Sequence, residues 1–152
     1  MGKKVVIGND HAAVELKKKI MEYLISLGYE VINVGTDKNE ACDYPDYAYK
    51  ACKKIVNKEV ELGILICGSG IGMSVAANKV KGIRACACSD SYTARMSRVH
   101  NDSNVLCFGE RVIGVETAKE LVREFMQAEF AGEQHVARLE KIKAIENGTY
   151  KE

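Results

Sequence analysis

Short apolar runs alternate with amphipathic stretches along the whole chain. Val5-Val6-Ile7 sits inside a β run over 3–8, and apolar positions 13, 16, 20, 24 and 27 then recur at helical spacing, which makes one buried stripe. Asp10 suits the N-cap of that helix, and Gly28 ends it. Residues 30–34 read as a second strand, 35–44 as a polar loop, and Pro45 as the first turn of a helix running to about Lys58 with Ala48, Cys52 and Ile55 inward. The third apolar run, through Ile64 to Ile66, reads as a strand buried on both faces and stops abruptly at Cys67. A helix over 73–79 and a strand over 83–88 follow, and Ser89-Asp90 then caps a helix to about Val99. His100-Asn101-Asp102 reads as a polar turn and 104–108 as the fifth strand. The pattern closes with a helix over 115–128, where Thr117 and Glu120 stand at capping-box spacing, and one over 134–146 that presents Val136, Leu139, Ile142 and Ile145.

Strand and helix thus alternate five times before an extra C-terminal helix. Such alternation predicts an α/β fold, a three-layer α/β/α sandwich around a five-stranded parallel sheet, in the flavodoxin-like order 2-1-3-4-5. Residues 1–152 are expected to form a single domain. In that order strands one and three are neighbours whose connections leave in opposite directions, and ligands bind in the crevice beyond their C-terminal ends. Asp10 and His11 follow strand one, and the stretch from Cys67 to Gly72 follows strand three. The topology is expected to bring these groups together although the sequence separates them.

Composition narrows the partners. A net charge of +1, with Lys17-Lys18-Lys19 as the one basic run, argues against nucleic acid, and that run suits a solvated helix face. No apolar stretch approaches the length needed to span a bilayer, and the chain enters its first strand without a signal-peptide pattern, so no membrane partner is expected. The cysteines at 42, 52, 67, 86, 88 and 107 form no CxxC pair and no zinc spacing, which suits free thiols in a reducing cytoplasm.

The candidate chemistry lies in Cys67-Gly-Ser-Gly-Ile-Gly-Met73. Alternate glycines let bare backbone approach a ligand, and N–H groups entering the next helix suit an anion or oxyanion. Three chemistries fit a thiol on the lip of such a turn. A cysteine phosphatase needs an arginine where this chain has Met73, and a dinucleotide site needs its glycine motif after strand one, where Gly8-Asn9-Asp10-His11 stands instead. Proton transfer beside a carbonyl remains: Cys67 as base, N–H groups from Ser69 through Gly70 and Ile71 to Gly72 as oxyanion donors, and no metal required. Asp10, His11 and His100 are candidates for opening a sugar ring, and His11, Arg111 and Arg138 for holding a phosphate. His135 reads as structural or surface, as do the other five cysteines. A flavodoxin-type nucleotide-binding module is the reading from another class, and it predicts a bound chromophore.

Asn9-Asp10-His11-Ala12, Asp43-Tyr44-Pro45, Cys67-Gly-Ser-Gly-Ile-Gly72, Gly82-Ile-Arg-Ala85 and His100-Asn101-Asp102 occur in one order. With these five motifs, over roughly residues 3 to 146, the chain resembles the ribose-5-phosphate isomerase B (RpiB/LacAB) family of sugar-phosphate isomerases. The resemblance implies cofactor-free interconversion of ribose 5-phosphate and ribulose 5-phosphate, a step of the pentose phosphate pathway. It implies Cys67 as the base between C1 and C2, and Ser69 with the N–H groups around Gly68, Gly70, Ile71 and Gly72 as the enediolate cradle. It further implies that His100, aided by Asp10, opens the ring, that Tyr44 and Asn101 contact the sugar, and that His11, Arg111 and Arg138 lie at the phosphate. A homodimer or dimer of dimers is implied, the partner supplying the His100–Asn101 segment. Allose 6-phosphate and galactose 6-phosphate fit the same chemistry. Most relatives carry threonine where Ser69 stands, and some carry an arginine where this chain has Gln134. That implies a roomier turn and weaker dependence on the substrate phosphate.

Overall fold

The computed structural model describes residues 3–152. Five parallel strands, β1 (Lys4–Asn9), β2 (Glu30–Asn33), β3 (Leu62–Cys67), β4 (Ala85–Ala87) and β5 (Val105–Gly109), form one sheet. Six helices accompany them: α1 (Val14–Ser26), α2 (Tyr44–Val56), α3 (Ile71–Ala77), α4 (Ser91–Asn101), α5 (Val115–Gln127) and α6 (Gln134–Glu146).

Side chains alternate across the sheet, as the pleat requires. Val5, Ile7, Ile64, Ile66, Leu106 and Phe108 pack with α1, α4 and α5, and Val6, Leu65, Val105 and Cys107 with α2 and α3. The three-layer α/β/α sandwich is therefore as expected. β1, β3 and β5 are buried almost throughout, and this explains why they read as continuous apolar runs.

The strand order is 2-1-3-5-4, so the last two strands exchange places relative to the 2-1-3-4-5 expectation. Their sequences give the reason. β5 carries Val105, Leu106 and Phe108 and is wholly buried, so it takes the inner position. β4 keeps only three residues of the expected six, is part-exposed, and takes the edge, where short strands belong. The β1/β3 switch point is unchanged.

Local signals fared unevenly. Asp10 caps a single 3-10 turn over His11–Ala13 and α1 proper begins only at Val14, while Asp90 caps α4 by accepting the Thr93 N–H at 2.8 Å. The Thr117–Glu120 capping box does not form, because α5 already starts at Val115 with Gly114 at its N-cap. His100 and Asn101 are not a loop but the last turn of α4, and Asp102 follows as a left-handed C-cap. Among the described residues no helix is long and apolar enough to cross a membrane.

Candidate active site

The ends of β1, β3 and β5 converge. The Asp10 N–H, just after β1, donates to the Ile66 carbonyl at 3.3 Å. Just after β5, the Glu110 N–H donates to the Cys67 carbonyl at 2.9 Å and the Arg111 N–H to the Gly68 carbonyl at 3.1 Å. The β3 turn is thus stitched on both sides to loops that carry ionisable side chains.

Within the turn, Gly70 adopts φ +82°, and a Cβ there would lie 2.7 Å from the Phe108 backbone, so only glycine fits. This conformation aims the Gly70 N–H at the Cys67 sulfur, 3.1 Å away. Cys67 as a residue is 5% exposed. The Ile71 N–H donates to the Ser69 hydroxyl oxygen at 3.2 Å, which leaves the Ser69 O–H to donate elsewhere. Tyr44 and Arg111 close over the turn: a methyl on Gly72 would lie 2.8 Å from the Tyr44 ring, and one on Gly68 would lie 3.2 Å from Arg111 Nη1.

The remaining cysteines divide by environment. Burial pushes the Cys52 thiol up to about 12 and Cys88 up to about 11, and Cys107 well above the usual range, so these are inert core thiols. Cys42 is different. Its backbone N–H donates to His11 Nδ1 at 3.3 Å, and its sulfur lies 3.7 Å from the same nitrogen. The neutral imidazole therefore carries its proton on Nε2, available to a ligand. Asp10 is nearly buried, and its Oδ1 accepts the Ala12 N–H at 3.0 Å.

The loop bearing Cys42 is anchored from beneath. Lys17, from the run read as a solvated face, is wholly buried. Its ammonium donates to the Thr36 carbonyl at 2.8 Å and to Asn33 Oδ1 at 3.3 Å, and pairs with Asp37. Its helix register, rather than its lysine neighbours, was the available signal: position 17 adjoins the buried stripe at 16 and 20.

His100, Asn101 and Arg138 do not join this group within the chain. α4 runs back from the end of β4 to the start of β5, so its last turn lies at the N-terminal edge of the sheet. There Asn104 accepts the Gly63 N–H through its carbonyl, while Cys67 pairs with Gly109 at the other edge. Five residues of strand separate the two levels, ~16 Å at the usual rise. His100 is exposed and stacks on His135, ring centroids 4.4 Å apart. Burial, with the His100 and Arg138 charges, holds His135 below the usual histidine range. As a lone histidine on an amphipathic helix, His135 gave no sign in the sequence of meeting His100. Among the described residues no group of His, Cys, Asp or Glu is disposed to hold a metal ion.

The family described as ribose/galactose isomerase matches residues 5–142. Ribose-5-phosphate isomerase B of Escherichia coli is 49% identical over 144 residues, covering 95% of this chain and 97% of that one. A D-erythrulose-4-phosphate isomerase of Pectobacterium atrosepticum is 43% identical over 91% of both chains. The solved ribose-5-phosphate isomerase B of Clostridium thermocellum superposes with a TM-score of 0.94 at 49% identity, over 95% of this chain and 98% of that one. Matched in family, sequence and fold over nearly its full length, the chain belongs to the ribose/galactose isomerase family, a family of sugar-phosphate isomerases.

Proposed function

We propose that the chain interconverts ribose 5-phosphate and ribulose 5-phosphate through a cis-enediolate, with Cys67 as the base. On the open-chain aldose, the Cys67 thiolate takes the proton from C2. The C–H electrons form the C1–C2 double bond, and the carbonyl oxygen O1 becomes anionic. A proton passes from O2 to O1, the electron pair left on O2 forms the C2 carbonyl, and the C1–C2 double bond takes the proton back from the Cys67 thiol at C1, so the thiolate is restored, the product is an isomer and nothing is consumed. The Ser69 O–H and the turn amides not already engaged are suited to the developing charge. His11 Nε2–H and Arg111 lie beside the turn, where they suit a phosphate. The observation that carries this reading is the Cys67 sulfur held by the Gly70 N–H in a turn bonded to both neighbouring loops.

A second copy of the chain completes the site in this reading. His100, Asn101 and Arg138 stand at the wrong edge of the sheet to serve their own Cys67, so they serve a partner's, and the assembly is a homodimer or a pair of such dimers. Exposed apolar side chains beside the turn, Ile71, Val75 and Tyr49, support a partner there, as does the apolar groove of ~520 Å³ that Tyr44, Pro45, Tyr49 and Val75 help to line. Hexose 6-phosphates such as allose 6-phosphate or galactose 6-phosphate are a second reading. It is favoured by Gln134, a neutral side chain exposed one helical turn before Arg138.

The test is an isomerase assay over aldose 5- and 6-phosphates. Wild type should act on ribose 5-phosphate, and Cys67→Ala should lose about 10²–10⁴-fold in kcat, the range for removing a general base, with an unchanged unfolding midpoint. A Cys67→Ala protein that keeps full activity would remove the thiol from the mechanism.

A further inference from the structure

We propose that Arg84 is a positioning residue for ring opening: it clamps the α4 end that presents His100 and Asn101. This rests on the shared-site reading above, in which that helix end faces a partner's Cys67.

Asp102 is a non-glycine residue at φ +45°, ψ +44°, a left-handed conformation that L side chains resist. It directly follows His100-Asn101, so its geometry sets how the last turn of α4 ends. Two guanidinium groups hold it. Arg84 Nε donates to the carbonyls of both Asn101 and Asp102, at 3.1 and 3.0 Å, and Arg84 Nη2 donates to Asp102 Oδ2 at 3.3 Å. Arg98 Nη1 donates to Asp102 Oδ1 at 3.2 Å and to the Ser103 carbonyl at 2.6 Å. The Arg84 backbone is tied to the same segment: its N–H donates to Asn104 Oδ1 at 2.8 Å, and its carbonyl accepts the Asn104 N–H at 3.0 Å.

The two arginines differ in what they reach. Arg98 belongs to α4 itself and moves with it. Arg84 directly precedes β4 and anchors the helix end to the sheet. Its planar fork serves two carbonyls and a carboxylate at once, which a lysine ammonium cannot do with the same geometry. An ordinary C-terminal cap needs one such bond; this residue makes three, all to the two residues that follow His100.

The chemistry supplies a readout that a general loss of stability would not move. Ribose 5-phosphate is mostly a closed furanose and must be opened. Erythrose 4-phosphate carries its phosphate on the oxygen that would close a furanose, so it reaches the enzyme without a ring to open. In Arg84→Gln, kcat on ribose 5-phosphate should fall about 10- to 100-fold further than kcat on erythrose 4-phosphate, the scale of a group displaced by about 1 Å. Arg84→Lys, which keeps the charge and the stem, should show the same split at smaller size and serves if Arg84→Gln does not fold. The cycle with His100→Ala reads the same coupling on ribose 5-phosphate alone: there Arg84→Gln should add less than about threefold. Proportional losses on both sugars, or a full additive loss in the His100→Ala background, would overturn the proposal while leaving the isomerase intact. A wild type inactive on every aldose phosphate would instead overturn the reading beneath it.

Discussion

Gly70 and Gly72 stand two positions apart, yet a methyl group has different consequences at each. At Gly70 it meets the Phe108 backbone at 2.7 Å and a φ of +82°, and neither can yield. Gly70→Ala should lower stability by about 1–3 kcal/mol and swing its N–H off the Cys67 sulfur, so that both the unfolding midpoint and kcat fall. At Gly72 the obstacle is the Tyr44 ring, at 2.8 Å, which can rotate away. Gly72→Ala should leave the unfolding midpoint within a degree or so, ~0.5 kcal/mol or less, and raise KM for the sugar. Equal effects of the two substitutions in urea unfolding would mean that Tyr44 is as immovable as the strand. At this scale the sequence was informative about which residue types gather, but it did not distinguish a glycine needed for its φ from one needed for its missing side chain.

The loop between β2 and α2 is the element with most to lose from a single change. It carries Cys42 against His11 and leads into Tyr44, and Lys17 holds it from α1 through Thr36, Asn33 and Asp37. Lys17→Met keeps the buried stem and removes the ammonium. It should cost about 1–3 kcal/mol, because the hydrogen bonds of a charged donor to Thr36, Asn33 and Asp37 are lost, and raise KM as the loop loosens. The hydrogen bond from Lys17, then that from Asn33, holds the Asp37 carboxyl below its ordinary value of 3.8. A depressed carboxylate stabilises the fold above its unfolded pKa and loses that contribution as pH falls through the folded one. Unfolding free energy should therefore drop below about pH 4 in wild type, and drop less in Lys17→Met, when urea titrations at pH 7 and pH 3 are compared. A buried lysine within a run of three was not legible as such, since adjacent positions on a helix face different ways and only packing selects the one turned inward.

For the whole molecule, the separation of Cys67 from His100 has a consequence that mixing can test. Cys67→Ala and His100→Ala should each be nearly inactive as pure proteins. If the site is shared between two chains as proposed, then after the two are unfolded together in equal amounts and refolded, half of the dimers would be mixed and each would hold one intact site, so about a quarter of wild-type activity should return. No recovery, with mixed dimers demonstrated by mass, would mean that each chain is served by its own groups after all. Strand order belongs to this scale too. The apolar runs announced five parallel strands and two helical layers. They did not announce that β5 would enter between β3 and β4, because inner and edge positions are decided by how completely each strand can be covered.

The sequence by itself determined the elements, the parallel sheet, the β1/β3 switch point and the cysteine–glycine turn placed there. These follow from apolar periodicity, glycine positions and chain order, all of which are local or topological. Only the tertiary structure decided that the Gly70 amide meets the sulfur, that Cys42 sets the His11 tautomer, that Lys17 is buried, and that His100, stacked on His135, stands a strand's length from Cys67. The first is a contact within one turn, held by the Phe108 backbone that leaves room only for a glycine at position 70; the others depend on residues distant in the chain and on how helices seat on the sheet rather than on any pattern along it.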